Sequence, residues 1–171
     1  AINSYDIAIK LNPKSVEALN SKGIVLGNLG HYYEALDLFN KAIKLKPNFF
    51  GTWYNKSVTY YQLNNPKKAI KALNKSIKLK PDFAEAFYNK GIALSHSQKY
   101  EEALESFEKA IELNPKFIEA WNNKGVSLDK LRKYQKAIQA YDKAIELKPN
   151  YTEALFNKGV TLGKSGRYEE A

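Results

Sequence analysis

Four asparagines, Asn55, Asn89, Asn123 and Asn157, recur at an interval of 34 residues, and Ser21 holds the same place one interval earlier. A primary amide donates and accepts at once, so a row of them can satisfy both polar groups of successive peptide bonds in a bound chain. Such recognition depends little on ligand sequence. Carboxylates also fall in register, at Glu17, Glu85, Glu119 and Glu153 and in the pairs Glu101-Glu102 and Glu169-Glu170. Each lies where a helix is expected to begin, and a helix N-terminus favours negative charge without any catalytic role. The two histidines, His31 and His96, occupy different places in the interval and cannot be aligned with a Cys or a glycine-rich phosphate loop. No enzyme activity, cofactor or metal site is therefore expected.

The elements that carry these residues repeat with them. Pro13, Pro47, Pro81, Pro115 and Pro149 share the 34-residue interval, as do Ala1, Ala35, Ala69, Ala103, Ala137 and Ala171. A period of this length marks a stacked repeat architecture. Within each repeat two apolar runs have helical spacing, as in Trp121, Gly125 and Leu128 and in Ala137, Tyr141 and Ala144. The breaks between runs are short, which predicts antiparallel helix pairs. Gly30-His31, Asn64-Asn65-Pro66 and Ser165-Gly166 punctuate the first helices, with Asn65-Pro66 read as an N-cap followed by Pro in the first turn. One array spanning 1–171 is predicted. It comprises a second-helix half (Ala1–Ser15), complete repeats Val16–Phe49, Phe50–Phe83, Ala84–Phe117 and Ile118–Tyr151, and a first-helix half (Thr152–Ala171).

Small residues in register, Gly23, Gly91, Gly125 and Gly159 against Ala35, Ala69, Ala103 and Ala137, predict close helix approach, which a large side chain at Gly125 would overpack. Ser57 stands where Gly is expected, so looser packing is predicted in that repeat.

The chain has no Cys and no Met, even at residue 1, and the two half repeats read as a fragment or a processed product. No apolar run is long enough to span a bilayer, no targeting segment opens the chain, and a cytoplasmic location is expected. The net charge of +9 is uneven: Phe50–Phe83 carries seven lysines against the single acid Asp82, and Ala84–Phe117 is net acidic. Lys67, Lys71, Lys75 and Lys78 form one stripe, read as a solvated face, with contact to nucleic acid or another anionic surface as the alternative. No aromatic residues interleave with those lysines to stack bases, so nucleic acid is the weaker reading.

The run Trp121, Gly125, Leu128, Ala137, Tyr141, Ala144 and Pro149, repeated at Phe87, Gly91, Leu94, Ala103, Phe107, Ala110 and Pro115, resembles the tetratricopeptide repeat family over the whole chain. The resemblance implies an all-α, right-handed superhelical solenoid of antiparallel helix pairs. In such a solenoid the first helices line a concave groove that binds peptides or protein segments. The asparagine row resembles the ladder in the tetratricopeptide region of the O-linked N-acetylglucosamine transferase. One departure recurs: Lys22, Lys56, Lys90, Lys124 and Lys158 stand where the family commonly has Leu. Their stems are expected to run along the helix interface, carrying the charge to its edge; the alternative is a positive row on the groove rim.

On this reading the groove sites are Asn55, Asn89, Asn123 and Asn157, with Tyr54, Tyr61 and Tyr88 as an aromatic floor. Asn122 varies between repeats, and Lys130 and Lys164 favour acid toward the C-terminal end. Adjacent first helices stand ~10 Å apart and an extended peptide advances ~3.3 Å per residue, so each Asn meets about every third ligand residue. Ile24, Val58, Ile92, Val126 and Val160 occupy the places that a chaperone-tail clamp would need, and such binding is not expected. The expected partner is a protein or peptide segment. Head-to-tail self-association through the unpaired terminal helices is a further expectation. A substrate-recruiting arm of a larger glycosyltransferase-like enzyme and a basic RNA-binding repeat are the alternatives.

Overall fold

The structure is a computed structural model that describes residues 2–167 and 169. The landmarks expected at Ala1, Glu170 and Ala171 lie outside the described residues. The chain is helical, with no strand among the described residues: α1 (Ile2–Leu11), α2 (Val16–Asn28), α3 (Tyr32–Leu45), α4 (Phe50–Gln62), α5 (Pro66–Leu79), α6 (Ala84–His96), α7 (Tyr100–Leu113), α8 (Ile118–Lys130), α9 (Tyr134–Leu147) and α10 (Thr152–Lys164). By packing it divides into two units, Ala1–Asp82 and Phe83–Ala171. In the first, each of α1 to α4 packs on the next and α2 also touches α4. In the second, α6 to α10 pack in the same way, with α8 touching both α6 and α10.

The turn inside each repeat is set by hydrogen bonding more than by glycine. Gly30, Asn64, Gln98, Arg132 and Gly166 all have positive φ. Around the first of them, His31 N–H donates to Leu26 O at 2.9 Å and Gly30 N–H donates to Gly27 O at 3.1 Å. The same two bonds recur at the other four turns, closing the orphan carbonyls of the first helix with a left-handed residue. Only two of the five are Gly, so Gln98 and Arg132 adopt a backbone that L-residues seldom choose. Two helix starts carry a side-chain cap: Ser15 Oγ accepts from Ala18 N–H, and Asn65 Oδ1 accepts from Lys68 N–H with Pro66 in the first turn.

Aromatic rings against glycine hold the pairs together. A Cβ at Gly23, Gly91 or Gly125 would stand 2.6 Å from Phe39, 2.5 Å from Phe107 or 2.4 Å from Tyr141. In the second repeat Ser57 replaces the Gly and Leu73 stands at the ring's place, and each is only 1% exposed. The looser packing expected there is not found, because the larger residue on α4 is met by a smaller one on α5. Thr52 likewise replaces the Ala of the other repeats; it is fully buried, and its Oγ1 has no hydrogen-bond partner.

Candidate functional site

In the first unit α2 and α4 border a hollow of about 400 Å³, lined among others by Ile24, Asn55, Val58 and Gln62. Ile24 and Val58 keep 38% and 36% of their surface exposed, so the hollow offers apolar side chains beside an amide. Asn55 Nδ2 donates to Asn20 Oδ1 at 3.2 Å, across to the preceding first helix.

The second unit repeats this link twice. Asn123 Nδ2 donates to the Tyr88 hydroxyl at 3.2 Å and to Glu119 O at 2.8 Å. Asn157 Nδ2 donates to Asn122 Oδ1 at 3.1 Å. The asparagines are therefore ties between repeats as well as polar groups on the first helices. Asn55 and Asn157 each retain an amide hydrogen and Oδ1, and Asn123 retains Oδ1, with no protein partner among the described residues. Asn89 lies half-buried on α6.

The other expected site residues are placed unevenly. Tyr54 and Tyr61 are half-buried on α4. Tyr88 stands on α6 in the second unit, its ring against Phe117 at 4.7 Å and Phe107 at 5.9 Å between centroids. Asn122 is 4% exposed, so it orients Asn157 from beneath. Lys130 is exposed at the end of α8. Lys164 is paired: Asp129 accepts from its Nζ at 2.5 Å and from Thr161 Oγ1 at 3.0 Å. That pairing offsets the positive charge expected at Lys164.

The lysines that precede the glycines behave as their stems suggest. Lys22 meets Asp6 at 2.5 Å, Lys124 meets Glu108 at 3.0 Å and Lys158 meets Asp142 at 2.6 Å, each acid lying on the second helix of the preceding repeat. Lys56 meets the neutral Asn40 instead, at 2.6 Å. Burial, and after it the charge of Lys68, hold the Lys56 ammonium below the usual lysine range. Its Nζ stands 5.4 Å from the Trp53 ring centroid and 5.7 Å from that of Tyr60, and Lys68 Nζ is 5.5 Å from Tyr60. Lys71 and Lys75 of the α5 stripe also line one hollow with Trp53 and Tyr60. These rings were invisible along the stripe because α4 supplies them.

Helix pairs of 34 residues, closed by one recurrent turn and tied by amides from repeat to repeat, define a helical-repeat protein. Family models described as Tetratricopeptide repeat match residues 16–49, 84–117 and 118–151 in one case and 38–71 and 140–171 in another, and one described as TPR repeat matches 58–97. The chain belongs to the tetratricopeptide repeat family. Among solved structures it is similar to MamA residues 41 to end from Desulfovibrio magneticus RS-1, with 27% identity over 88% of this chain and 85% of that one and a TM-score of 0.81. Another crystal structure of MamA is 24% identical, covers 89% of each chain and has a TM-score of 0.82. YrrB, described as a TPR protein with an unusual peptide-binding site, is 22% identical over 99% of this chain and 88% of that one, with a TM-score of 0.84. Comparison with curated proteins gave no match. No helix among the described residues is long and apolar enough to cross a membrane.

Proposed function

We propose that the chain is a non-enzymatic scaffold that holds an extended protein or peptide segment along its first helices. The observation that carries this reading is Asn55. Its amide is fixed by Asn20 yet keeps a donor and an acceptor, and it lines a hollow with half-exposed Ile24 and Val58. A fixed amide loses little entropy when a ligand peptide group arrives, and the apolar neighbours bury ligand side chains. Asn157 repeats this chemistry in the second unit, Asn123 offers its Oδ1, and Asn89 stands at the same register on α6. Tyr54, Tyr61, Tyr88 and Lys130 tune ligand preference, with Asn122 holding Asn157 in place. Membership of a family whose work is protein interaction, and a like fold in YrrB, support the reading. The test is a pull-down comparing the chain with a variant carrying Asn55, Asn89, Asn123 and Asn157 all changed to Ala. Loss of most partners at unchanged helicity is expected; an identical set of partners would contradict the proposal.

A second reading is end-to-end association between molecules. Ile7 and Leu11 on α1 are 61% and 82% exposed, and Leu155 on α10 is 47% exposed, which leaves apolar surface on both elements. Docking α10 of one molecule on α1 of the next would bury it in a contact that need not close. Light scattering should show mass rising with concentration, and a monomer throughout would rule this out.

A further inference from the structure

Between α4 and α5 lies a second hollow, of about 330 Å³, lined by Trp53, Lys56, Tyr60, Lys68, Lys71, Ala72 and Lys75. It shares no lining residue with the hollow that holds Asn55. Four lysines converge there and no carboxylate lines it.

The fourth complete repeat shows what this place looks like when its charge is partly offset. Trp121, Lys124, Lys136, Ala140 and Lys143 stand at the same register positions and line a hollow there too, but Glu108 and Asp142 join them. Glu108 pairs with Lys124 at 3.0 Å. In the second repeat the register positions of those two acids hold Asn40 and Asn74, that of Gln139 holds Lys71, and that of Leu128 holds Tyr60. Those four changes act in one direction: acids become amides, a neutral side chain becomes a cation, and an aliphatic wall becomes an aromatic one; a fifth, Asn65 in the place of Lys133, removes a cation and still leaves four lysines with no acid in the second-repeat lining. A merely solvated lysine face needs none of the aromatic enclosure and does not hold an ammonium over two rings.

We propose that this hollow is a separate binding site for an acidic protein segment that presents a carboxylate side chain beside an apolar one. The carboxylate supplies the charge that Asp6, Glu108 and Asp142 give the equivalent lysines and that Asn40, which accepts from Lys56 at 2.6 Å, does not; it pairs with Lys56 beside Asn40 and with Lys68, Lys71 or Lys75 at the rim. The apolar neighbour rests on Ala72 and the lysine stems, with Trp53 and Tyr60 walling the hollow beside it. Partial burial makes such a pair worth more than one in open water. A protein segment fits better than nucleic acid, because lysine ammonium groups already sit over the Trp53 and Tyr60 rings and base stacking needs open aromatic faces. The hollow also has the size of a few side chains rather than of a backbone-tracking groove.

The test uses fluorescence anisotropy with a labelled peptide alternating Glu and Leu, a matched peptide with Gln in place of Glu, and a labelled single-stranded oligonucleotide. Asn40→Asp installs the acid that this register has at Asp6, Glu108 and Asp142, and Lys71→Gln installs the side chain of the fourth repeat, so each borrows a residue the fold already accepts. Lys41→Gln, exposed on α3 and outside this hollow, is the control, and circular dichroism checks helicity. The Glu peptide should bind more tightly than the Gln peptide. Asn40→Asp and Lys71→Gln should each weaken it roughly threefold to fivefold, the range of a solvent-screened ion pair. Lys41→Gln should leave it unchanged. Equal binding of the two peptides, or variants no different from the control, would overturn the proposal. So would an oligonucleotide that binds more tightly than the Glu peptide and is lost in the same variants.

Discussion

Asn123 donates its amide hydrogen to the hydroxyl of Tyr88, 35 residues earlier, and so ties one first helix to the one before it. The same offset joins Asn157 to Asn122 and Asn55 to Asn20. An amide in such a tie has two duties, and they separate by substitution. Tyr88→Phe should lower stability by about 0.5–1.5 kcal/mol, the net worth of one hydrogen bond, while leaving Asn123 Oδ1 to accept from a ligand. Asn123→Ala should cost at least as much stability and reduce binding too. Denaturant unfolding beside a binding titration checks both.

Closeness at the glycines makes opposite predictions for two positions of one register. Gly125→Ala places a methyl 2.4 Å from the buried Tyr141 ring and should destabilise by ~1–3 kcal/mol. At Gly159 a Cβ meets nothing within 4 Å. Gly159→Ala should therefore stabilise by up to about 1 kcal/mol through helix propensity. Thermal unfolding of the two variants should move in opposite directions.

Thr52 holds a buried hydroxyl that finds no acceptor. Replacing it by the near-isosteric Val removes a desolvated polar group and keeps the shape. A gain of about 1 kcal/mol in denaturant unfolding is expected for Thr52→Val. A loss of similar size would mean that the hydroxyl is satisfied in solution.

Tyr141 couples stability to pH. Burial raises its pKa, the hydrogen bond with Thr161 works against that rise, and the charge of Asp129 adds to it. The folded protein thus holds this proton more tightly than the unfolded chain does. The contribution is fully present below the unfolded tyrosine value of about 10 and is lost as pH rises beyond it. Tyr141→Phe, which copies Phe39 and Phe107 at the same register, should flatten the alkaline fall in stability measured by unfolding at a series of pH values.

Much of this was legible in the chain because a repeat states its rule several times. The 34-residue spacing of prolines and alanines located the helix pairs, and Asn65-Pro66 marked a helix start that the hydrogen bond to Lys68 N–H bears out. What stayed hidden depends on the phase between helices that are distant in sequence. The partners of Lys22, Lys124 and Lys158 lie 16 residues back on another helix. The burial of Asn122 beneath Asn157 follows from how one first helix leans on the next, which periodicity within a single helix does not encode. Trp53 and Tyr60 stand beside the lysine stripe only after α4 has packed on α5. The compensation of Ser57 by Leu73 could have been read earlier by aligning both helices of the repeat together.

The central claim is that a guest chain lies extended along the first helices. It is tested most directly by photo-crosslinking with p-benzoylphenylalanine in place of Ile24, of Val58, or of Tyr33, which is 75% exposed on α3, followed by mass spectrometric mapping on the bound partner. The account predicts efficient crosslinks from positions 24 and 58 to one partner segment, at points about three residues apart, and little from position 33. Crosslinks from position 33 that equal those from position 58, or points scattered over unrelated partner segments, would contradict it.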